Sequence, residues 1–315
     1  MFIHEFCGDW MSHPFWRSRF RLDGDDDLRR IVESGVQHVY IDTERGLDDQ
    51  DAVPAAEVRA AVEQEIVAAL ATPVDVPMRV SVHEEIQRAR KVHDQAHRVV
   101  RSMMSDVRLG KAVSLEDAEP VVEAITGSVL RNGGALMGLI GIKNKDDYTF
   151  LHSVSVCTLM IAFGRSLGLE GDDLRQGGIG GLLHDIGKMK VPDEVLNKPG
   201  RLTDAEFELI KRHPGDGHAT LLETPGIGPV PLDITRHHHE RLDGSGYPDR
   251  LAGDAISSMS RMAAIVDVYD AITADRCYHK GMPAAEGLRK MWEWSAAHFD
   301  QKLLQAFMRC VGIYP

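Results

Sequence analysis

The sequence lacks closely spaced cysteines, long apolar runs and any excess of positive charge. Its four cysteines, Cys7, Cys157, Cys277 and Cys310, stand far apart, so there is no CxxC pair, zinc ribbon or disulfide framework. Isolated thiols suit a reducing compartment, and the expected location is the cytoplasm. The longest apolar stretch, residues 134–142, is far too short to span a bilayer. The opening MFIHEFCGDWM carries His, Glu and Asp where a secretory signal would be basic and then apolar. With 36 Lys and Arg against 48 Asp and Glu, the net charge of −12 argues against a nucleic-acid polymer as partner. A small phosphate ligand stays open, because it needs only a few cations placed locally.

At 315 residues the chain has room for two domains. DGDDDLRRIVESG carries helix start and stop signals, and VQHVYIDT reads as a strand. The aspartates 23–27 read as a solvated, helix-capping turn. PAAEVRAAVEQEIVAAL, 54–70, reads as a helix entered at Pro54, and the prolines of ATPVDVP, 71–77, suit a linker. Val82, Ile86, Ala89, His93, Ala96, Val100, Met103 and Val107 make a heptad-like seam on one long helix. Two readings fit that seam: a helix lying on its own domain, or a homodimer helix over 82–107. From about residue 130 helix follows helix. The expected fold is mainly α: a small α+β unit over 1–75, a helical linker over 76–129 and an all-helical domain over 130–315.

What the chain has in plenty is histidine, 15 in all, clustered in the second half near Gly, Asp and Lys. In TFLHSVSVCTLMIAFGRSLG, His152 shares a helical face with Val156, Leu159 and Phe163, the place of a core histidine or of a ligand. In GGIGGLLHDIGK, His184 and Asp185 are adjacent and so point about 100° apart on a helix. Both reach one site only at a helix junction or around a metal; Gly187 permits a break, and Lys188 adds a cation. The alternative is a helix C-terminus whose His and Lys complement the dipole. His213, before Pro214, sits at a helix end. In RHHHERLDGSGYP three histidines cannot face one way, and the glycines and Pro248 make a tight loop after them. SRMAAIVDVYDAITADR lines Asp267 and Asp270 with Ser and Ala, as suits a helix that approaches a metal or ligand closely. Histidine and carboxylate donors without thiolates suit iron, manganese, nickel or zinc.

HDIGK with HHERLDGSGYP downstream resembles the HD-GYP family of HD-domain phosphodiesterases. The likeness extends over about 130–315, through DDYTFLHS, LNKPGRLTDAEFELIKRHP, DVYDAITADRCYH and FDQKLLQAF, and WMSHPFW with VYIDTERG resembles a small domain often found before such modules. The resemblance implies hydrolysis of cyclic di-GMP to linear pGpG, GMP or both, by a hydroxide bridging divalent metals. It places metal ligands at His152, His184, Asp185, His213, His238, His239 and Asp267, and leaves His237 out. Tyr148 stands where three-metal members carry a glutamate, so two ions are expected, iron or manganese first. Asp185 and Lys188 are the expected catalytic residues. Lys188, Asp270, Arg276, Tyr247, Gly244, Gly246 and Asp146 are the expected substrate contacts, with Asp147 an alternative to Asp146. His279, followed by Lys280, departs from the family's usual basic residue. The alternatives are another cyclic dinucleotide, such as cyclic GMP–AMP, and a sensor that binds without cutting.

Overall fold

The computed structural model describes residues 1–6, 19–22, 24–34, 36, 38–49, 51–70, 80–140, 148–198, 200, 202–274, 281–295 and 297–312. The N-terminal unit is built on strands β1 (Phe2–Phe6), β2 (Phe20–Arg21) and β3 (Val39–Ile41), antiparallel in the order β2-β1-β3. Helix α1 (Asp25–Glu33) opens on three aspartates, which favour a helix N-terminus. Its Ile31 closes a small core with Ile3 and Phe6. The expected β3 is present, but the central strand β1 carried no signal that the sequence reading used.

The remaining helices are α2 (Ala55–Leu70), α3 (Val82–Arg108), α4 (Leu115–Ile140), α5 (Tyr148–Ser166), α6 (Gly171–Leu183), α7 (Asp193–Leu196), α8 (Asp204–Ile210), α9 (His213–Leu222), α10 (Pro229–His237), α11 (Ser258–Thr273), α12 (Ala284–Trp294) and α13 (Gln301–Val311). None is long and apolar enough to cross a membrane among the described residues. Helix α5 is the pivot because it is apolar nearly all round. Val154, Cys157 and Ile161 enter one core with α3, α4 and α6. Val156, Leu159, Met160 and Phe163 enter a second with α11, α12 and α13. His152 lies on the second face, toward α11.

Helix α3 begins with a capping box, Ser81 with Glu84. Its seam is buried inside the chain: Ala89, Ala96, Val100, Met103 and Val107 join the first core. The short 109–114 connection returns α4 against α3, and a heptad-like spacing serves such an in-chain pair as well as a dimer. Of the two readings, the helix lying on its own domain accounts for these five seam residues, while Val82 at the start of the seam is exposed. Within the stretch expected as a linker, 76–129, residues of α3 and α4 pack in one core with α5 and α6. The pair is pinned by Glu85, fully buried, which accepts from Arg131 Nε and Nη2 at 2.8 Å each and from Ser128 Oγ at 2.9 Å. Arg131→Met strands that carboxylate and should cost about 3 kcal/mol, whereas Glu85→Leu with Arg131→Met should recover most of the loss. Denaturant midpoints of the single and double variants check this.

The N-terminal unit rests on the helical domain through polar contacts. Tyr40 donates to Glu293 at 3.0 Å, Arg30 pairs with Asp204 at 3.0 Å, and Glu5 pairs with Lys290. Trp292 Nε1 donates to Glu65 of α2 at 2.6 Å, beside the buried Val62.

Candidate metal centre

Helix α6 stops at Leu183, and the chain turns into a 3₁₀ segment, Ile186–Lys190. His184 keeps helical backbone angles and Asp185 does not (φ −98°, ψ 8°), so the adjacent side chains converge. Gly187 makes the turn possible: a Cβ there would lie 2.0 Å from the carbonyl oxygen of His213 and 2.5 Å from Gly217 N. That close approach sets the start of α9, and with it His213, against Asp185. His238 and His239 follow at the C-terminal end of α10, and Asp267 comes from the middle of α11.

Asp185 is the hub. Its Oδ2 lies 3.3 Å from His184 Nε2 and 3.6 Å from His152 Nε2. Its Oδ1 lies 3.2 Å from His213 Nε2 and 3.9 Å from His238 Nε2. Asp267 Oδ1 is 2.9 Å from His152 Nε2 and 3.8 Å from His184 Nε2, and its Oδ2 is 3.9 Å from His239 Nδ1. Two donor groups share Asp185, His152 and His184 on one side and His213, His238 and His239 on the other, and a third, His184, His238 and Asp267, joins the two sides.

The outer nitrogens show which atoms face inward. Nδ1 of His184 donates to the Gly181 carbonyl at 2.9 Å, that of His213 to Ile210 at 2.8 Å, and that of His238 to Thr235 at 3.0 Å. A carbonyl only accepts, so each Nδ1 carries the proton and each Nε2 presents a lone pair. His213 and His238 bring those Nε2 atoms within 3.2 Å of each other, close quarters for two lone pairs unless a cation lies between them. His184 Nε2, Asp185 Oδ1 and His239 Nε2 are sealed from solvent without an aligned hydrogen bond, although Oδ1 is near His213. Buried polar atoms are normally satisfied. Converging, unsatisfied imidazole and carboxylate donors are what divalent metal ions would satisfy, and this donor set fits them.

Charge states agree. Burial opposes ionisation of Asp185, but Lys188 and His184 outweigh it and hold the carboxyl well below the usual range. Burial likewise opposes Asp267, and His152 outweighs it. Burial, reinforced by the neighbouring histidines, pushes His238 down to about 3 and His239 well below its usual range, and burial with Lys188 lowers His213. For His184 burial is outweighed by Asp185, and its pKa rises. Anionic carboxylates among mostly neutral imidazoles are ready ligands.

Asp270 was expected either against substrate or orienting a ligand group or Lys188. It is buried behind His152, with Oδ2 2.6 Å from Nδ1, where it orients the ring and fixes Nε2 inward. Asp270→Ala should weaken metal binding about 10- to 100-fold, and Asp270→Asn less, by titration of the metal-free protein. Lys188 Nζ lies 2.6 Å from Asp185 Oδ2. Tyr247 stacks on His239, with centroids 4.8 Å apart. Gly244 has φ 78°, and Gly246 is pressed on the 239–241 backbone, where a Cβ would lie 2.5 Å from Arg241 N. His237 turns away: Nδ1 is 2.7 Å from Asp233 and Nε2 3.0 Å from Asp249. Asp146, Asp147, Arg276, His279 and Lys280 lie outside the described residues. The sequence reading missed Glu240, buried and accepting from Asp249 N at 2.7 Å and Leu251 N at 3.0 Å, which ties the loop to the ligand pair. Its place directly after His239 was the available signal.

Residues 142–303 match the HD domain family, and residues 1–118 match a domain of unknown function (DUF3391). The chain is 47% identical to the cyclic di-GMP phosphodiesterase PA4108 of Pseudomonas aeruginosa, over all of this chain and 75% of that protein. It is 39% identical to the 3'3'-cGAMP-specific phosphodiesterase 1 of Vibrio cholerae, over 52% of this chain and 38% of that one. The fold is similar to that of Bd1817, a HDG"Y"P protein from Bdellovibrio bacteriovorus, with a TM-score of 0.58 at 19% identity over 93% of this chain and 88% of the other. With its histidine–aspartate centre and its GYP loop, the chain belongs to the HD-GYP family of HD-domain phosphohydrolases.

Proposed function

We propose that the chain is a cyclic di-GMP phosphodiesterase whose centre holds two divalent metal ions, iron or manganese first and nickel or zinc next, and whose products are linear pGpG, GMP or both. The observation that carries this reading is Asp185, which offers one carboxylate oxygen to each of two histidine groups. His152, His184 and Asp267 would complete one ion's ligands, and His213, His238 and His239 the other's. Tyr148 offers no carboxylate toward a third ion. The 47% identity to the Pseudomonas aeruginosa cyclic di-GMP phosphodiesterase, over the whole chain, supports the substrate.

When bound, the metals supply Lewis acidity and water of lowered pKa. Lys188, beside Asp185, supplies a cation for the charge that develops on the phosphate or on the departing 3′-oxygen. Tyr247 and the backbone at Gly244 and Gly246 would cover the ligand, and Arg276 would take its second phosphate. Asp270 keeps His152 in its metal-binding tautomer. The α+β unit over 1–75 would be regulatory, acting through its contacts on α12. The free Cys157 and Cys310 suit a cytoplasmic setting.

The Vibrio cholerae relative favours cyclic GMP–AMP as a second substrate. Protein purified without air, assayed for metal content and offered both cyclic dinucleotides side by side, should yield pGpG or GMP from cyclic di-GMP at the higher rate. Preference for cyclic GMP–AMP would reassign the substrate. Tight binding without cleavage by metal-loaded protein would make the chain a sensor.

A further inference from the structure

His298 takes no part in the chemistry above, yet its backbone is bonded to the start of the GYP loop. Its ring is nine-tenths buried, with 9% exposed, and stacks on Phe299 with centroids 4.0 Å apart and planes at 11°. Neither ring nitrogen makes a hydrogen bond to a described residue. Buried polar groups without protein partners call for a physical explanation, and a ligand is one.

Its place is set by the backbone. The carbonyls of Ala297 and His298 accept from Asp243 N at 3.1 Å and Leu242 N at 3.3 Å, the residues that open the DGSGYP turn. The charged groups acting on the ring are Arg241, at the base of that turn, and Asp267, in the metal centre. The backbone that carries the imidazole is thus tied to the start of the GYP loop, and the ring feels the charge of Asp267.

We infer that His298 is a substrate-binding residue whose imidazole edge hydrogen-bonds an uncharged donor–acceptor edge of the cyclic dinucleotide, a nucleobase edge or a ribose hydroxyl. Burial and then Arg241 hold the ring well below the ordinary histidine range, against the pull of Asp267. At neutral pH it therefore offers one N–H and one lone pair, which suits an uncharged polar edge better than a phosphate. The inference rests on the phosphodiesterase reading.

The test compares His298→Phe and His298→Gln with the unaltered chain on cyclic di-GMP, 3′3′-cyclic GMP–AMP and bis(p-nitrophenyl) phosphate, which has neither base nor ribose. His298→Phe should raise KM for cyclic di-GMP about tenfold, the worth of a lost hydrogen bond, with kcat, metal content and cleavage of the small diester within about twofold. His298→Gln should restore most of the loss. Unequal losses on the two cyclic dinucleotides identify a base contact, and equal losses a ribose contact. If the Phe variant does not fold, His298→Asn, polar but short, should show the same rise in KM. An unchanged KM, or metal content and small-diester cleavage falling in step with cyclic di-GMP, would overturn the inference. An unaltered chain that cleaves the small diester but not cyclic di-GMP overturns the substrate reading and this inference with it. An active chain with unchanged variants overturns this inference alone.

Discussion

Asp185→Ala should purify without either metal ion and lose turnover of cyclic di-GMP by more than about 10³-fold. The reason is its position between two histidine groups. Its two oxygens serve opposite sides, 3.3 Å from His184 Nε2 and 3.2 Å from His213 Nε2. Truncation therefore removes an anionic donor from both sides at once. It also strands Lys188, whose Nζ now lies 2.6 Å from Oδ2, beside a cluster of imidazoles. Two cations' worth of attraction would be lost and a repulsion exposed, so no single histidine variant should be as severe. Elemental analysis and product chromatography on the same preparation measure it. Full turnover by a metal-free Asp185→Ala protein would sink both the metal centre and the mechanism.

The candidate ligands could be singled out from residue type, spacing and the family resemblance. Adjacent His184 and Asp185 demanded a helix junction, and the chain leaves α6 at that point. Three histidines in a row could not all face the cleft, and His237 is the one that pairs elsewhere, with Asp233 and Asp249. What the sequence hid were partners set by packing. Asp267 and Asp270 share one helical face, yet only their contacts distinguish a carboxylate among the ligands from one held behind His152. A heptad-like seam is satisfied equally by an in-chain neighbour or a second copy, and only burial against α4 and α5 shows the in-chain one. His298 carries no motif of its own; its interest comes from a burial and an empty hydrogen-bonding edge that no spacing reveals.

The second large effect comes from a residue with no side chain. Gly187→Ala places a Cβ where the carbonyl oxygen of His213 would be 2.0 Å away and Gly217 N 2.5 Å away. Both are backbone, so no flexible side chain can move to absorb the overlap, and α9 or the 3₁₀ segment has to give by more than an ångström. His213 opens α9, and its Nε2 stands 3.2 Å from both Asp185 Oδ1 and His238 Nε2. Displacing it opens the half of the centre built from His213, His238 and His239, while His152 and Asp267 keep their places on α5 and α11 and His184 its place just past the end of α6. The expected protein is folded but holds close to one metal ion in place of two, with turnover down about 10²-fold or more, as misplacement by an ångström commonly costs. Circular dichroism, metal stoichiometry and kcat together check it. A Gly187→Ala protein with two ions and unaltered kcat would show that the contact between Gly187 and His213 does not set the ligand geometry.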